Sequence, residues 1–200
     1  MKVRGHDFSY WGDKVWVYFP IDMPPDFYAF QFARWLYIEP ASRLGDRVLE
    51  IGAQTGLACI YLKLRHPNLF VVASDVNRSV CRMAKLRVDR WNVDVPIVVA
   101  DAFYLPFRED AFSAVYSEGL HEHFDEEDRV DLVEESARVA GFQIVDVPTD
   151  VDFKHGGGYG DERRLSSAQW SQFFKSINGI KILGEFQRGT RYGVVLERVG

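Results

Sequence analysis

Glu50, Asp75, Asp101 and the pair Ser117-Glu118 each stand at the end of a run of apolar, largely β-branched residues. A carboxylate in such a place is costly to bury unless something donates hydrogen bonds to it, and a ligand carrying hydroxyls and amines supplies those donors. Acids recurring at successive strand ends therefore read as a binding site. Behind the first acid comes Gly52-Ala53-Gln54-Thr55-Gly56, whose two glycines let the backbone turn sharply and bring a ligand against the next apolar segment. The loop has neither the G-x-G-x-x-G spacing that receives a dinucleotide pyrophosphate nor the G-x-x-x-x-G-K-[ST] pattern that cradles a triphosphate. Asp75 lies 19 residues beyond Gly56, close to the spacing at which an acid meets ribose hydroxyls in dinucleotide folds. A ribose-containing ligand without a phosphate group fits the set best.

The elements that must position these acids alternate in type. Strands are expected over Val48 to Ile51, Phe70 to Ser74, Ile97 to Ala100, Ala114 to Tyr116 and Phe142 to Val147. A helix over Asn77 to Asn92 carries Val80, Ala84, Val88 and Trp91 on one stripe. A second, over Glu126 to Val139, carries Val130, Val133, Ala137 and Ala140, with acids in its first turn where the helix dipole favours them. Ser166 caps a further helix that Asn178-Gly179 ends. IKILGEF and YGVVLERV then flank the turn Gln187 to Thr190 as an antiparallel hairpin. The fold class is α/β: five βα-type strands with helices on both faces, followed by a terminal antiparallel pair, seven strands in all.

Two hundred residues, 47% of them hydrophobic, suit one such domain. Within it we expect an aromatic-rich N-terminal helical cap over 1–46, a ligand-binding core over 47–147, and a substrate-side loop, helix and hairpin over 148–200. Twelve of the 29 aromatic residues lie before residue 38, as extra core or as a lid over a pocket, and a helix is expected to begin at Pro24-Pro25. The net charge of −5 argues against a general grip on nucleic acid, and no stretch has the length of a membrane span. The chain reads as soluble and cytoplasmic. Cys59 and Cys81 are spaced for neither a metal knuckle nor a disulfide framework and read as small core residues.

VLEIGAQTG, SDVN, VADAFYLPF and FSAVYSEGLHEHF, in that order, resemble the successive motifs of class I S-adenosylmethionine-dependent methyltransferases, small-molecule enzymes of the Rossmann-like fold. The resemblance implies S-adenosylmethionine as cofactor and S-adenosylhomocysteine as product. It implies that Glu50, Gly52, Ala53, Gln54 and Gly56 hold the methionine part, with Glu50 near the ammonium. Asp75 would take the ribose hydroxyls and Val76 would pack on the adenine. Asp101 and the Ala102 backbone would read the adenine edge, and the Ser117 carbonyl would meet the ammonium. Gln54 stands where many members have a third glycine.

Methyl transfer from a sulfonium is an in-line displacement, so the protein mainly aligns the acceptor and removes a proton. Candidates for that removal are His121 and His123 of GLHEHF, with Glu122 on the substrate side. In VDFKHGGGYGDERRLSS, Tyr159, Glu162 and Arg163 resemble a YGxER-type segment of some small-molecule methyltransferases, and Tyr159 and Arg163 are the substrate-contact candidates there. No metal is expected, because residues two apart in a turn point away from each other and no further ligand is evident. Ser117-Glu118-Gly119-Leu120 is not the [DN]-P-P-[YF] signature of enzymes that methylate exocyclic or amide nitrogens, and neither cysteine is placed for a cytosine C5 nucleophile. The alternatives are a non-catalytic cofactor-binding module and a methyltransferase of RNA or protein. The accepting atom and the oligomeric state stay open.

Overall fold

The computed structural model describes residues 2–7, 20–26, 38–151, 162–163 and 165–200. Its centre is a seven-stranded sheet of β3 (Arg47–Ile51), β4 (Phe70–Asp75), β5 (Ile97–Val99), β6 (Phe112–Glu118), β7 (Ala140–Pro148), β8 (Ile180–Arg188) and β9 (Arg191–Arg198), in the order β5-β4-β3-β6-β7-β9-β8. The first five strands run parallel and the β8/β9 hairpin joins β7 antiparallel. Strand order reverses between β3 and β6, which makes the carboxyl ends of these two strands the crevice in which an open sheet of this kind receives a ligand.

The helices have legible boundaries. Helix α1 (Leu57–Arg65) starts at Gly56, held at φ 70. Helix α2 (Arg78–Trp91) is capped by the Asn77 side chain, which accepts from the Ser79 and Val80 amides, and is ended by left-handed Asn92. Asp125 caps α3 (Glu126–Val139), and Ser166 with Gln169 forms a full capping box on α4 (Ser167–Ser176).

Register fixes which side chains share a face. Glu50 pairs with Ala73 and Tyr116, and Tyr116 with Ile144. Val48, Glu50, Ala73, Asp75, Tyr116, Glu118, Ile144 and Asp146 therefore project from one face. The apolar members of this set form a core with α1 and the inner side of α2. On the opposite face Leu49, Ile51, Val72 and Val115 pack with Phe124 and Leu132 of the α3 side, while Val145, Val147, Tyr192, Val194 and Leu196 pack under Trp170, Phe173 and Phe174 of α4.

Two expectations shift. The buried side of α3 is Arg129, Leu132, Val133, Ser136, Ala137 and Val139; Val130 is only half-buried and Ala140 opens β7. The Arg129 guanidinium lies 4.6 Å from the Trp170 ring centre and its Nε donates to the His121 carbonyl, so a charged side chain occupies core space that hydropathy alone assigns elsewhere. At the amino terminus, Lys2–Val3 (β1) and His6–Asp7 (β2) form a small antiparallel hairpin where a helical cap is expected. It is pinned by Arg4, which pairs with Asp128 and Asp131 and lies 4.2 Å over Phe103. Pro25 and Asp26 are helical as expected, and the rest of that segment lies outside the described residues.

Trp170 is wholly buried, stacks on Phe174 and donates its indole N–H to the Pro148 carbonyl. Trp170→Ala is expected to cost about 3–5 kcal/mol of stability. Urea denaturation should show the midpoint falling with an unchanged slope.

Candidate active site

The carboxyl end of the sheet gathers Glu50, Asp75, Glu118 and Asp146 on one face, each from a different strand. Arg191, in register with Pro148 on β9, stands on the same face. Its Nε donates to both carboxylate oxygens of Asp146, at 2.9 and 3.1 Å, and Asp146 is fully buried. Burial works against the guanidinium's charge, but Asp146, Glu118 and Glu122 together outweigh it and hold Arg191 protonated above its ordinary range.

Glu50 is buried, and the Cys59 thiol donates to its Oε2 at 2.9 Å. Desolvation pushes the Glu50 carboxyl up to about 8; the Cys59 hydrogen bond opposes that rise, and the nearby charges of Glu118 and Asp75 add to it. Cys59 is itself pushed well up by burial and by Glu50, so it stays a thiol that donates. On β6 the Tyr116 hydroxyl donates to Glu118 at 3.2 Å.

The glycine loop crosses these acids. Gly52 sits at φ 63, and a Cβ there would meet Leu120 Cδ1 at 3.3 Å; at Gly56 a Cβ would meet the Ala84 Cβ at 3.1 Å, so this glycine also lets α1 approach α2. Gln54 adopts φ 49 without being glycine. Its amide donates to Asp75 Oδ2 at 3.0 Å and its Nε2 to the Glu118 carbonyl at 3.1 Å, tying the loop to β4 and β6 together and offsetting the strain of its backbone. Asp75 also accepts from the Asn77 amide at 2.8 Å. Burial holds its carboxyl above the usual range against these backbone donors. The Val76 backbone amide adds a third interaction of this kind. Val76 is half-buried beside it.

The other expected positions divide. Asp101 lies in the turn after β5, half-buried, and accepts from the Phe103 amide at 3.0 Å; Ala102 is half-buried next to it. Ser117, paired with Ile51 and Val145, turns its side chain to the opposite face. His121, Glu122 and His123 form one 3-10 turn after β6, all buried. His121 meets Phe174 edge-on at 6.1 Å between ring centres, and burial with the Arg129 charge pushes it down to about 3. The His121 ring packs in the core against Phe174. Glu122 points the other way, toward Gly119 and Arg191, and desolvation raises it to about 7. The Arg163 amide donates to the Glu122 carbonyl at 2.6 Å, which brings the distant substrate-side segment onto this turn; Arg163 itself is exposed. Tyr159 lies outside the described residues.

Glu122, His123 and Glu162 each place one ligand atom so that the three lie within 4.8 Å of one another. The expectation that no further ligand joins the histidine pair therefore fails for His123, because a carboxylate far along the chain is folded onto it. Sequence reasoning also missed Asp146 and Arg191, which read as parts of two apolar strands, and the donor role of Cys59. The signal for Cys59 was its place in the first turn of the helix that follows Glu50.

Four acids on one face, a glycine loop that bares its backbone, and a buried Glu50 met by the Cys59 thiol and backbone amide fit a ligand bearing an ammonium and vicinal hydroxyls. Residues 48–141 match a family model described as a methyltransferase domain. Among characterised relatives, a malonyl-[acyl-carrier protein] O-methyltransferase of Geobacter sulfurreducens is 32% identical over 80 residues, covering 40% of this chain and 28% of that protein. A demethylmenaquinone methyltransferase of Thermus thermophilus is 33% identical over 69 residues, covering 34% and 31%. The matched stretch thus spans less than a third of these relatives' own length. The fold extends further: the PH0226 protein of Pyrococcus horikoshii superposes with a TM-score of 0.73 at 16% identity, covering 97% of this chain and all of that one. A SAM dependent methyltransferase from Aquifex aeolicus does so at 0.68 and 17%, with the same coverage. Among the described residues no helix is long and apolar enough to cross a membrane. With its motifs in order, its matched core and its seven-stranded sheet, the chain has the Rossmann-like methyltransferase fold, and residues 48–141 are similar to the methyltransferase domain family.

Proposed function

We propose that this chain binds S-adenosylmethionine across the carboxyl ends of β3, β4 and β6 and directs its methyl group to an oxygen, nitrogen or carbon nucleophile of a small molecule. The observation that carries the reading is the set of acids on one face, ordered Asp75, Glu50, Glu118 across the strands where the sheet order reverses. Glu50 would receive the ammonium, with the Gly52 to Gly56 loop against the amino-acid part. Asp75 would accept both ribose hydroxyls, Val76 would pack on the base, and Asp101 with the Ala102 amide would read its edge. The cofactor brings an activated methyl on a positively charged sulfur.

The chain's part is binding, orientation and exclusion of water. The turn His121–His123 and the Glu162-Arg163 segment, joined by the bond from the Arg163 amide to Glu122, would face the acceptor and shape its pocket. The relatives named for malonyl-[acyl-carrier protein] and demethylmenaquinone support acceptors other than nucleic acid, as does the acidic balance of the chain. The division into a binding core over 47–147 and substrate-side segments flanking it belongs to the same proposal.

Titration calorimetry should show S-adenosylhomocysteine binding and no heat from NAD. Asp75→Ala should weaken the former roughly 10–100-fold, about the worth of one hydrogen bond to a charged acceptor. Absence of S-adenosylhomocysteine binding by folded protein would overturn the reading.

Glu50 gives a pH signature. Its carboxyl near 8 in the fold, against an ordinary 4.5, means that the native state holds a proton the unfolded chain has released, so ligand-free stability falls as pH rises from about 4.5 to about 8. An ammonium beside Glu50 favours the ionised form and removes that loss. Saturating S-adenosylhomocysteine should therefore raise the melting temperature more at pH 8 than at pH 5, and Glu50→Gln should flatten the ligand-free profile.

A further inference from the structure

We propose that Glu122, His123 and Glu162 form a binding site for a divalent first-row metal ion on the acceptor side of the cofactor crevice. The three residues come from two segments, the 3-10 turn after β6 and the segment preceding α4, and meet with one ligand atom each inside a 4.8 Å span. Ligands around one ion at roughly 2.1 Å stand about 3 Å apart when adjacent and a little over 4 Å apart when opposite, so a small contraction closes the set on an ion.

A second observation points to the missing partner. Glu122 is only 2% exposed, yet among the described residues its Oε2 accepts no hydrogen bond. Arg191 and Arg129 lie within electrostatic reach of it, and neither donates to that oxygen. Arg191 is committed to Asp146 and Arg129 to the His121 carbonyl. A buried carboxylate oxygen with no donor costs free energy, and a cation brought against it recovers that cost.

The arrangement is tied in place. The Arg163 amide donates to the Glu122 carbonyl at 2.6 Å, which locks Glu162, its neighbour in sequence, against the turn. Leu120 packs against Gly52 of the glycine loop and Gly119 against Gln54, so the turn carrying two of the ligands rests on the cofactor loop itself. Two carboxylates and one imidazole are hard to borderline donors and suit Mn2+, Fe2+ or Zn2+ rather than a soft ion. Three protein ligands leave positions open, and an oxygen of the acceptor is the group that would fill them.

The test is a Mn2+ titration of the purified full chain followed by electron paramagnetic resonance, with Zn2+ as competitor and S-adenosylhomocysteine titrated into the same samples. A single saturable Mn2+ per chain, displaced by Zn2+, is expected. Glu162→Gln and Glu122→Gln should each weaken it at least tenfold or so, because loss even of groups behind metal ligands weakens affinity about 10–100-fold. Glu162 is only half-buried, so its variant keeps the test alive if the Glu122 variant fails to fold. Wild-type protein that binds S-adenosylhomocysteine but not Mn2+, or Mn2+ binding that both variants leave unchanged, overturns the site. Mn2+ bound and lost as expected in protein that ignores S-adenosylhomocysteine keeps the metal site and overturns the cofactor reading instead.

Discussion

Burying carboxyl groups on one face of a parallel sheet is the constraint that the rest of this molecule answers. Glu50, Asp75, Glu118 and Asp146 project from the same side of four different strands, and Glu122 joins them from the turn beyond. Parallel strands with both faces covered normally read as apolar throughout, and here they do so until their last residues. Water cannot reach these groups freely, so each needs a donor from the protein or from a ligand.

The protein's own answers are specific and incomplete. Asp146 receives Arg191 in a buried ion pair, Asp75 receives backbone amides from the glycine loop and from α2, Glu118 receives the Tyr116 hydroxyl, and Glu50 receives a thiol. A thiol is a weak donor for a carboxylate, and Glu122 has one oxygen with no donor among the described residues. The shortfall lies on either side of the β3/β6 switch point, where a sheet of this topology binds its ligand. Gln54 shows how tightly the loop is bound into this economy: its left-handed backbone is tolerated because its amide and side chain each satisfy an acceptor on a different strand. Gln54 thus bridges β4 and β6.

Much of this was legible in the sequence, for physical reasons. Strands with an alternating helix pattern between them announce themselves because both faces of the sheet must be covered, and Asn77, Ser166 and Gly179 mark element ends by capping chemistry that is local. Acids at strand ends stand out against apolar runs. Relations across strands stayed hidden. Asp146 sits within FQIVDVP and Arg191 within a hairpin strand, and nothing in either stretch alone shows that antiparallel pairing brings them together. Arg129 rotates the buried side of α3 because a guanidinium can lie over Trp170, a partner 41 residues away. His121 and His123 look equivalent in HEH; the turn sends one against Phe174 and the other toward Glu162.

The central claim is that Glu50 is held protonated in the ligand-free fold and is ionised by the ammonium of the cofactor. The direct measurement is the proton inventory of S-adenosylhomocysteine binding at pH 7, read by calorimetry in two buffers of different ionisation enthalpy. The account predicts a net release of protons that Glu50→Gln removes. Binding with no proton release, or a release that persists in Glu50→Gln, would contradict it.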